Sequence, residues 1–114
     1  MFNATARKKF RYKIEEVSPK GIRGWIYYKK APSKSILLRV YIDNELISEF
    51  VPDIQREKLN AKHSIEGKHG FKKKIPLNCF DGNEHILDFS VLDNGKEVNL
   101  ESLKLQERQQ NICY

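Results

Sequence analysis

The side chains with the chemistry to catalyse or to hold a metal are few and scattered. Histidines stand at 63, 69 and 85, and the two cysteines at 79 and 113. A structural zinc site wants four convergent nitrogen or sulfur ligands at a recognisable spacing. Cys79 and His85 are six residues apart with a turn between them, which gives the ligands no reason to converge. No metal and no cofactor is expected. No serine sits in the glycine-flanked strand-to-helix context of a nucleophile elbow. Glu66-Gly67-Lys68-His69-Gly70 has a Gly-Lys pair but lacks the Gly-x4-Gly-Lys-Ser/Thr spacing and the following helix that would cradle phosphates. It reads as an ordinary loop. No catalytic residue emerges, and the chain reads as a non-enzyme.

Aromatic rings beside basic groups are the better lead. Arg23, Trp25 and Tyr27 fall on one face of an alternating stretch, and Leu37, Arg39 and Tyr41 on one face of another that could share its sheet. Flat rings next to guanidinium groups can stack on sugars or on bases. The plainer alternative makes Trp25 the core tryptophan of a sandwich, with Tyr27 and Tyr41 half buried. No RNA-binding consensus of alternating basic and aromatic residues accompanies them.

The elements that must position these residues follow from period-two patterning. The clearest is Ile36 to Pro52. Ile36, Leu38, Val40 and Ile42 alternate with Leu37, Arg39 and Tyr41. Asp43-Asn44 then turns the chain, and Leu46, Ser48 and Phe50 alternate with Ile47, Glu49 and Val51. That is a hairpin, which needs partner strands. Phe10, Tyr12 and Ile14 mark an earlier strand, Ser18-Pro19-Lys20-Gly21 a turn, and Gly21 to Lys29 a second strand. Both faces of this second strand are bulky, which suggests a central strand or a face touching something else. Lys30 to Lys34 is a loop.

Asp53 is placed to cap a short helical turn through Gln55 to Leu59, and Asn60 to Gly70 reads as an exposed loop. Phe71 to Leu77 is a strand whose Lys73 shares a face with Phe71 and Ile75, so it is an edge or carries a bulge. A turn spans Asn78 to Glu84. Ile86 to Leu92 turns the apolar residues Leu87, Phe89 and Val91 inward. Asn94-Gly95 is a strong hairpin signal, and Glu97 to Leu103 pairs back. Seven short strands at nearly regular spacing predict an immunoglobulin-like antiparallel sandwich. Its expected core is Ile14, Ile26, Leu38, Val40, Phe50, Phe71, Leu87, Phe89 and Val91.

A chain of 114 residues, 39% hydrophobic and 32% charged, is one folded domain rather than a disordered segment. The reading divides it into a flexible basic lead-in over 1–8, a sandwich over 9–105 and a polar tail over 106–114. No apolar run approaches the roughly 20 residues of a membrane span. MFNATARKKF has no apolar core of a secretory signal. Two cysteines make no disulfide framework. Cys113, one residue from the end, reads as a free thiol, and the compartment as reducing and cytoplasmic. The Asn3-Ala4-Thr5 sequon is then accidental. The net charge of +6 is uneven: residues 1–30 hold nine basic against two acidic groups, a net of +7, and the rest of the chain stands at −1. A basic end can meet nucleic acid, an acidic membrane surface or an acidic partner. Specific nucleic-acid binding is not expected, because no base-reading motif accompanies the charge.

The order of short motifs resembles a known group. Gly24-Trp25 begins a strand, Val40-Tyr41-Ile42-Asp43-Asn44 stands where a V-x-V-D-G hairpin would, Arg56 follows it, Gly70-Phe71 opens the next strand, and Gly82-Asn83-Glu84-His85 leads into an apolar one. Over roughly residues 21–100 this is similar to small β-sandwich modules attached to bacterial glycosyltransferases and related surface-polysaccharide proteins. One departure is that those modules usually show Arg-Pro-Asp-Val/Leu where this chain has Arg56-Glu57-Lys58-Leu59, so the acidic position has become Lys58. The resemblance implies a non-catalytic accessory module and gives no ligand; the partner expected is a glycan or a neighbouring catalytic domain. The expected contact residues are Arg23, Trp25, Tyr27, Arg39, Tyr41 and Arg56. The alternatives are a nucleic-acid-binding β domain using the basic N-terminal third, and a structural spacer or dimerisation domain.

Overall fold

A computed structural model describes residues 9–75 and 82–105 of the chain. The lead-in over 1–8, positions 76 and 77 of the strand expected to reach Leu77, Cys79, the tail over 106–114 and Cys113 lie outside the described residues, and that strand already ends at Lys73. The described residues form seven strands: β1 (Phe10–Ser18), β2 (Gly21–Tyr28), β3 (Leu37–Ile42), β4 (Glu45–Phe50), β5 (Gly70–Lys73), β6 (His85–Asp93) and β7 (Lys96–Leu105). One short helix, α1 (Glu57–His63), lies between β4 and β5. None of the described helical residues forms a helix long and apolar enough to cross a membrane.

The strands form two antiparallel sheets, ordered β1-β2-β5 and β4-β3-β6-β7. The chain therefore changes sheet after β2, after β4 and after β5. This is the alternation of an immunoglobulin-like sandwich in which the fourth strand pairs with the third. Between the sheets lies one apolar core, to which both contribute: Phe10, Ile22, Ile26 and Phe71 from the first, Leu38, Val40, Leu87, Phe89 and Val91 from the second. The Phe50 and Phe71 rings meet across it at 5.5 Å. Eight of the nine expected core residues are buried there, while Ile14 is only partly buried and packs against its side.

The β3–β4 and β6–β7 turns use positive φ at two successive residues, Asp43 (51°) with Asn44 (70°) and Asn94 (52°) with Gly95 (82°). That geometry matches the right-handed twist of the strands it joins, and Asn, Asp and Gly tolerate it best.

Three bulges break the strict alternation. In β1 the pairing passes from Ile14–Gly24 to Glu16–Arg23, skipping Glu15. Val17 thereby turns inward, against the core, and Glu16 joins Glu15 on the outer face. In β4 the pairing passes from Val40–Ser48 to Tyr41–Leu46, skipping Ile47. Leu46, Ser48 and Phe50 therefore do not share one face: Phe50 is buried, whereas Leu46 points outward and is 47% exposed. In β7 the skipped residue is Leu100, which is buried in the core.

β5 is an edge strand, and Lys73 sits opposite Ile22 with its ammonium 5.2 Å from the Phe50 ring centroid. A lysine on the inward side of a short edge strand keeps its head at the rim and discourages pairing with another chain.

Two expectations about residues 53–70 need correction. The helix starts at Glu57, not after Asp53, and its N-terminus is Arg56 with no side-chain cap. The segment Asn60 to Gly70 is an exposed loop only in part: Asn60 to His63 complete α1, and Asn60, His69 and Gly70 are buried, while Ser64, Glu66, Gly67 and Lys68 are exposed loop. Packing overrides the polar composition here. Leu59 and His63, one helical turn apart, face the sheet. Past the helix, Ile65 N–H donates to the Asn60 carbonyl at 3.0 Å and Ser64 N–H to that of Ala61 at 3.4 Å, with Ser64 at φ 56°. This is a Schellman closure, and the apolar contact that normally accompanies it is Ile65 on the Leu59 cluster.

Candidate functional site

The expected contact residues fall into two groups on opposite sides of the sandwich. Arg23, Trp25 and Tyr27 stand on the outer face of β2, and Arg39 and Tyr41 on the outer face of β3. β2 and β3 belong to different sheets, so the shared sheet expected for them does not exist. The bulky residues of β2 point alternately into the sandwich and under α1, which is why both its faces are apolar.

On the three-stranded side the aromatic pair is covered. Trp25 and Tyr27 stack at 5.9 Å and form a second apolar cluster with Leu59 and Ile65. The Tyr27 hydroxyl lies 2.8 Å from His63 Nδ1, and Tyr27 is only 4% exposed. Burial pushes the His63 pKa down, and the neighbouring cations Arg11 and Lys62 push it the same way. His69, expected in open loop, is buried beside the Tyr27 ring and hydrogen-bonds the Glu66 carbonyl at 2.6 Å.

The β1 bulge sets an ion cluster beside this patch. Arg56 Nη1 and Nη2 donate to the two Glu15 oxygens at 2.9 and 3.2 Å. Arg23 reaches Glu15 at 3.5 Å and Glu16 at 3.3 Å. The Arg56 guanidinium holds the Glu15 carboxyl below its ordinary pKa. Arg56 thus finds its carboxylate on β1, and Lys58 in the Arg56-Glu57-Lys58-Leu59 run does not leave it unpaired. Its aliphatic stem crosses Gly70, where an added Cβ would come within 2.8 Å of Arg56 Cγ. Arg23 is the exposed member of the cluster.

On the four-stranded side no described element covers the sheet. Arg39 Nε donates to Glu49 at 2.6 Å, and its Nη1 to Glu97 at 3.2 Å. Tyr41 hydrogen-bonds Glu97, which raises its pKa. Leu46, opposite Tyr41, and Ile86 are exposed on the same face. Glu49 and Glu97 were not among the expected contact residues. An unbroken hairpin register would set Ser48 opposite Arg39; the bulge at Ile47 brings Glu49 there instead.

His85, at the start of β6, lies 2.5 Å from an Asp43 oxygen, and the other Asp43 oxygen accepts the Ile86 N–H at 2.9 Å. This joins the β3–β4 turn to β6. A cleft of about 470 Å³ opens at one end of the sandwich, floored by Ile26, Ile36 and Pro52 and rimmed by Lys34, Lys68 and His69. No group of three or more His, Cys, Asp or Glu side chains suited to a metal ion comes together among the described residues. No known protein family, curated protein or solved structure matches the chain.

Proposed function

We propose that the chain is a non-catalytic binding module, accessory to a glycosyltransferase in surface-polysaccharide synthesis, and that it meets a glycan through the outer face of the four-stranded sheet. The observation that carries this reading is the setting of Arg39 and Tyr41. Their polar heads are held in place by Glu49 and Glu97 on a face that no described element covers. Side chains already fixed by neighbours lose little entropy on binding. A ring with charged groups around it offers both stacking and hydrogen bonds to a sugar. Trp25 and Tyr27 serve a different purpose in this reading, anchoring α1.

Affinity electrophoresis through gels containing bacterial polysaccharides tests it. Retardation of the wild type that is lost in Tyr41→Ala and kept in Tyr27→Phe supports the reading. Migration of wild type and Tyr41→Ala that never differs on any polysaccharide sinks it.

Exposed Leu46 and Ile86 favour a second reading, in which the same face docks on a neighbouring catalytic domain. Apolar groups centred on a face and rimmed by charge suit a protein contact. Leu46→Asp would then abolish co-purification with that domain and leave polysaccharide migration unchanged.

A further inference from the structure

Three lysines meet around a pocket at the edge where β1, β2 and β6 end. Its walls come from the start of β1, the end of β2, the loop after it and the β6–β7 turn. It measures about 360 Å³ and is lined by Lys9, Lys30, Lys34, Tyr28, Asp93 and Asn94, with Ala31 between. We propose that this pocket binds a phosphate group, as carried by a small phosphorylated ligand such as a sugar phosphate.

The charge count on the pocket wall is the first argument. Among the described residues Asp93 is its only carboxylate, and both of its oxygens are taken. Lys9 Nζ donates to Oδ2 at 2.9 Å and the Tyr28 hydroxyl to Oδ1 at 2.9 Å. Asp93 is 5% exposed, and its charge acts chiefly on Lys9 and also on Lys34, leaving three ammonium groups facing one carboxylate. Lys30 and Lys34 meet no carboxylate within ion-pair distance among the described residues. Two uncompensated ammonium groups therefore remain, which matches the charge of a phosphate monoester near neutral pH.

The kind of cation and its mounting are the second argument. Lysine binds phosphate as a compact point charge with three donors. Lys34 Nζ lies 4.8 Å from the Tyr28 ring centroid, which holds its stem against the pocket floor. The loop that carries both lysines is tied by Ala31 N–H to the Tyr28 carbonyl at 3.3 Å and Lys34 N–H to the Ala31 carbonyl at 3.0 Å. Two lysines on a fixed loop above a buried, low-dielectric floor focus their field outward into the pocket.

This site lies apart from Arg39 and Tyr41 and stands whether or not the glycan reading does. Inorganic phosphate and glucose 1-phosphate are titrated separately into the isotope-labelled full chain at low ionic strength, followed by amide resonances. The expected result is a saturable shift confined to Lys30, Ala31, Lys34 and the Asn94 turn. Lys30→Gln with Lys34→Gln should weaken it about tenfold or more, with an unchanged melting temperature. Lys13→Gln with Lys72→Gln removes equal charge from the outer face of the three-stranded sheet and should leave affinity within about twofold. Tighter binding of glucose 1-phosphate identifies a sugar phosphate as the ligand, and equal binding identifies the bare phosphate as the recognised unit. Equal weakening by the two double variants, or a shift with either probe that never saturates, overturns the proposal.

Discussion

The Tyr27 hydroxyl and His63 Nδ1, 36 positions apart, lie 2.8 Å from one another where α1 lies on the three-stranded sheet. Around them Trp25, Leu59 and Ile65 close a second apolar cluster outside the main core. The aromatic face of β2 is therefore part of the fold, and its residues should behave in mutagenesis as buried groups.

Tyr27→Ala is expected to destabilise the protein by roughly 3–5 kcal/mol, as for a large aromatic removed from packed surroundings. Tyr27→Phe keeps the ring and loses one hydrogen bond, at a cost of about 1 kcal/mol. Urea melts of both variants check this; a loss under about 0.5 kcal/mol for Tyr27→Ala would mark a surface position instead.

The same contact makes stability depend on pH. The folded His63 is held below its ordinary pKa of 6.5 by burial and by Arg11 and Lys62, so folding favours the neutral ring. Below that value the unfolded chain takes up more protons than the folded one. The contribution is complete above pH 6.5 and is lost progressively as the pH falls through the lower folded value. In His63→Gln, melting temperatures across this range should fall less on acidification than in the wild type.

Glu15 and Arg56 form a two-pronged pair with 17% and 32% of their side chains exposed. A double-mutant cycle on Glu15→Gln and Arg56→Ala should return a coupling of about 1 kcal/mol, modest because water still reaches both groups. Glu15 is held below its usual pKa by Arg56, so this coupling is present above the ordinary carboxylate range and disappears as the pH falls through the folded pKa. Cycles run at neutral and at strongly acid pH would show the difference.

Gly24 is a packing glycine. A Cβ there would lie 2.3 Å from the Lys13 carbonyl oxygen and 2.9 Å from Phe71 Cζ. Gly24→Ala should cost about 1–3 kcal/mol or more, because β1 or the Phe71 ring must shift. Chemical denaturation gives the value directly.

Ser64 holds the left-handed position that closes α1, at φ 56°. Left-handed backbone costs a side-chain-bearing residue about 1–2 kcal/mol and glycine almost nothing, but glycine loses more entropy on folding. Ser64→Gly should therefore raise stability by a few tenths of a kcal/mol up to about 1. A lower melting temperature in this variant would contradict the Schellman closure.

The sequence by itself determined the sandwich, because period-two patterning is a local property and each strand carries its own copy. Leu38, Val40, Leu87, Phe89 and Val91 must share one side of their strands wherever those strands go, and Asp43-Asn44 and Asn94-Gly95 are turns by backbone preference alone. The bulges left a partial trace. Ile14 to Val17 and Leu100 to Leu103 are apolar pairs three apart, a spacing that neither a plain strand nor a single face can hold. What only the tertiary structure decided is which strand joins which sheet, and hence what the outward residues meet. Pairing between distant strands depends on contacts with no local signature. Arg23 and Arg39 look alike in sequence, yet one joins the Glu15–Arg56 cluster beside α1 and the other lies between Glu49 and Glu97 on the uncovered face. The helical turn expected through Gln55 to Leu59 was legible, but the polar composition of residues 60–63 hid its continuation, because the helix is held by Leu59 and His63 packing on rings 32 or more positions earlier in the chain. Lys9, Lys30, Lys34 and Asp93 likewise become one pocket only when β1, β2 and β6 end at the same edge of the sandwich.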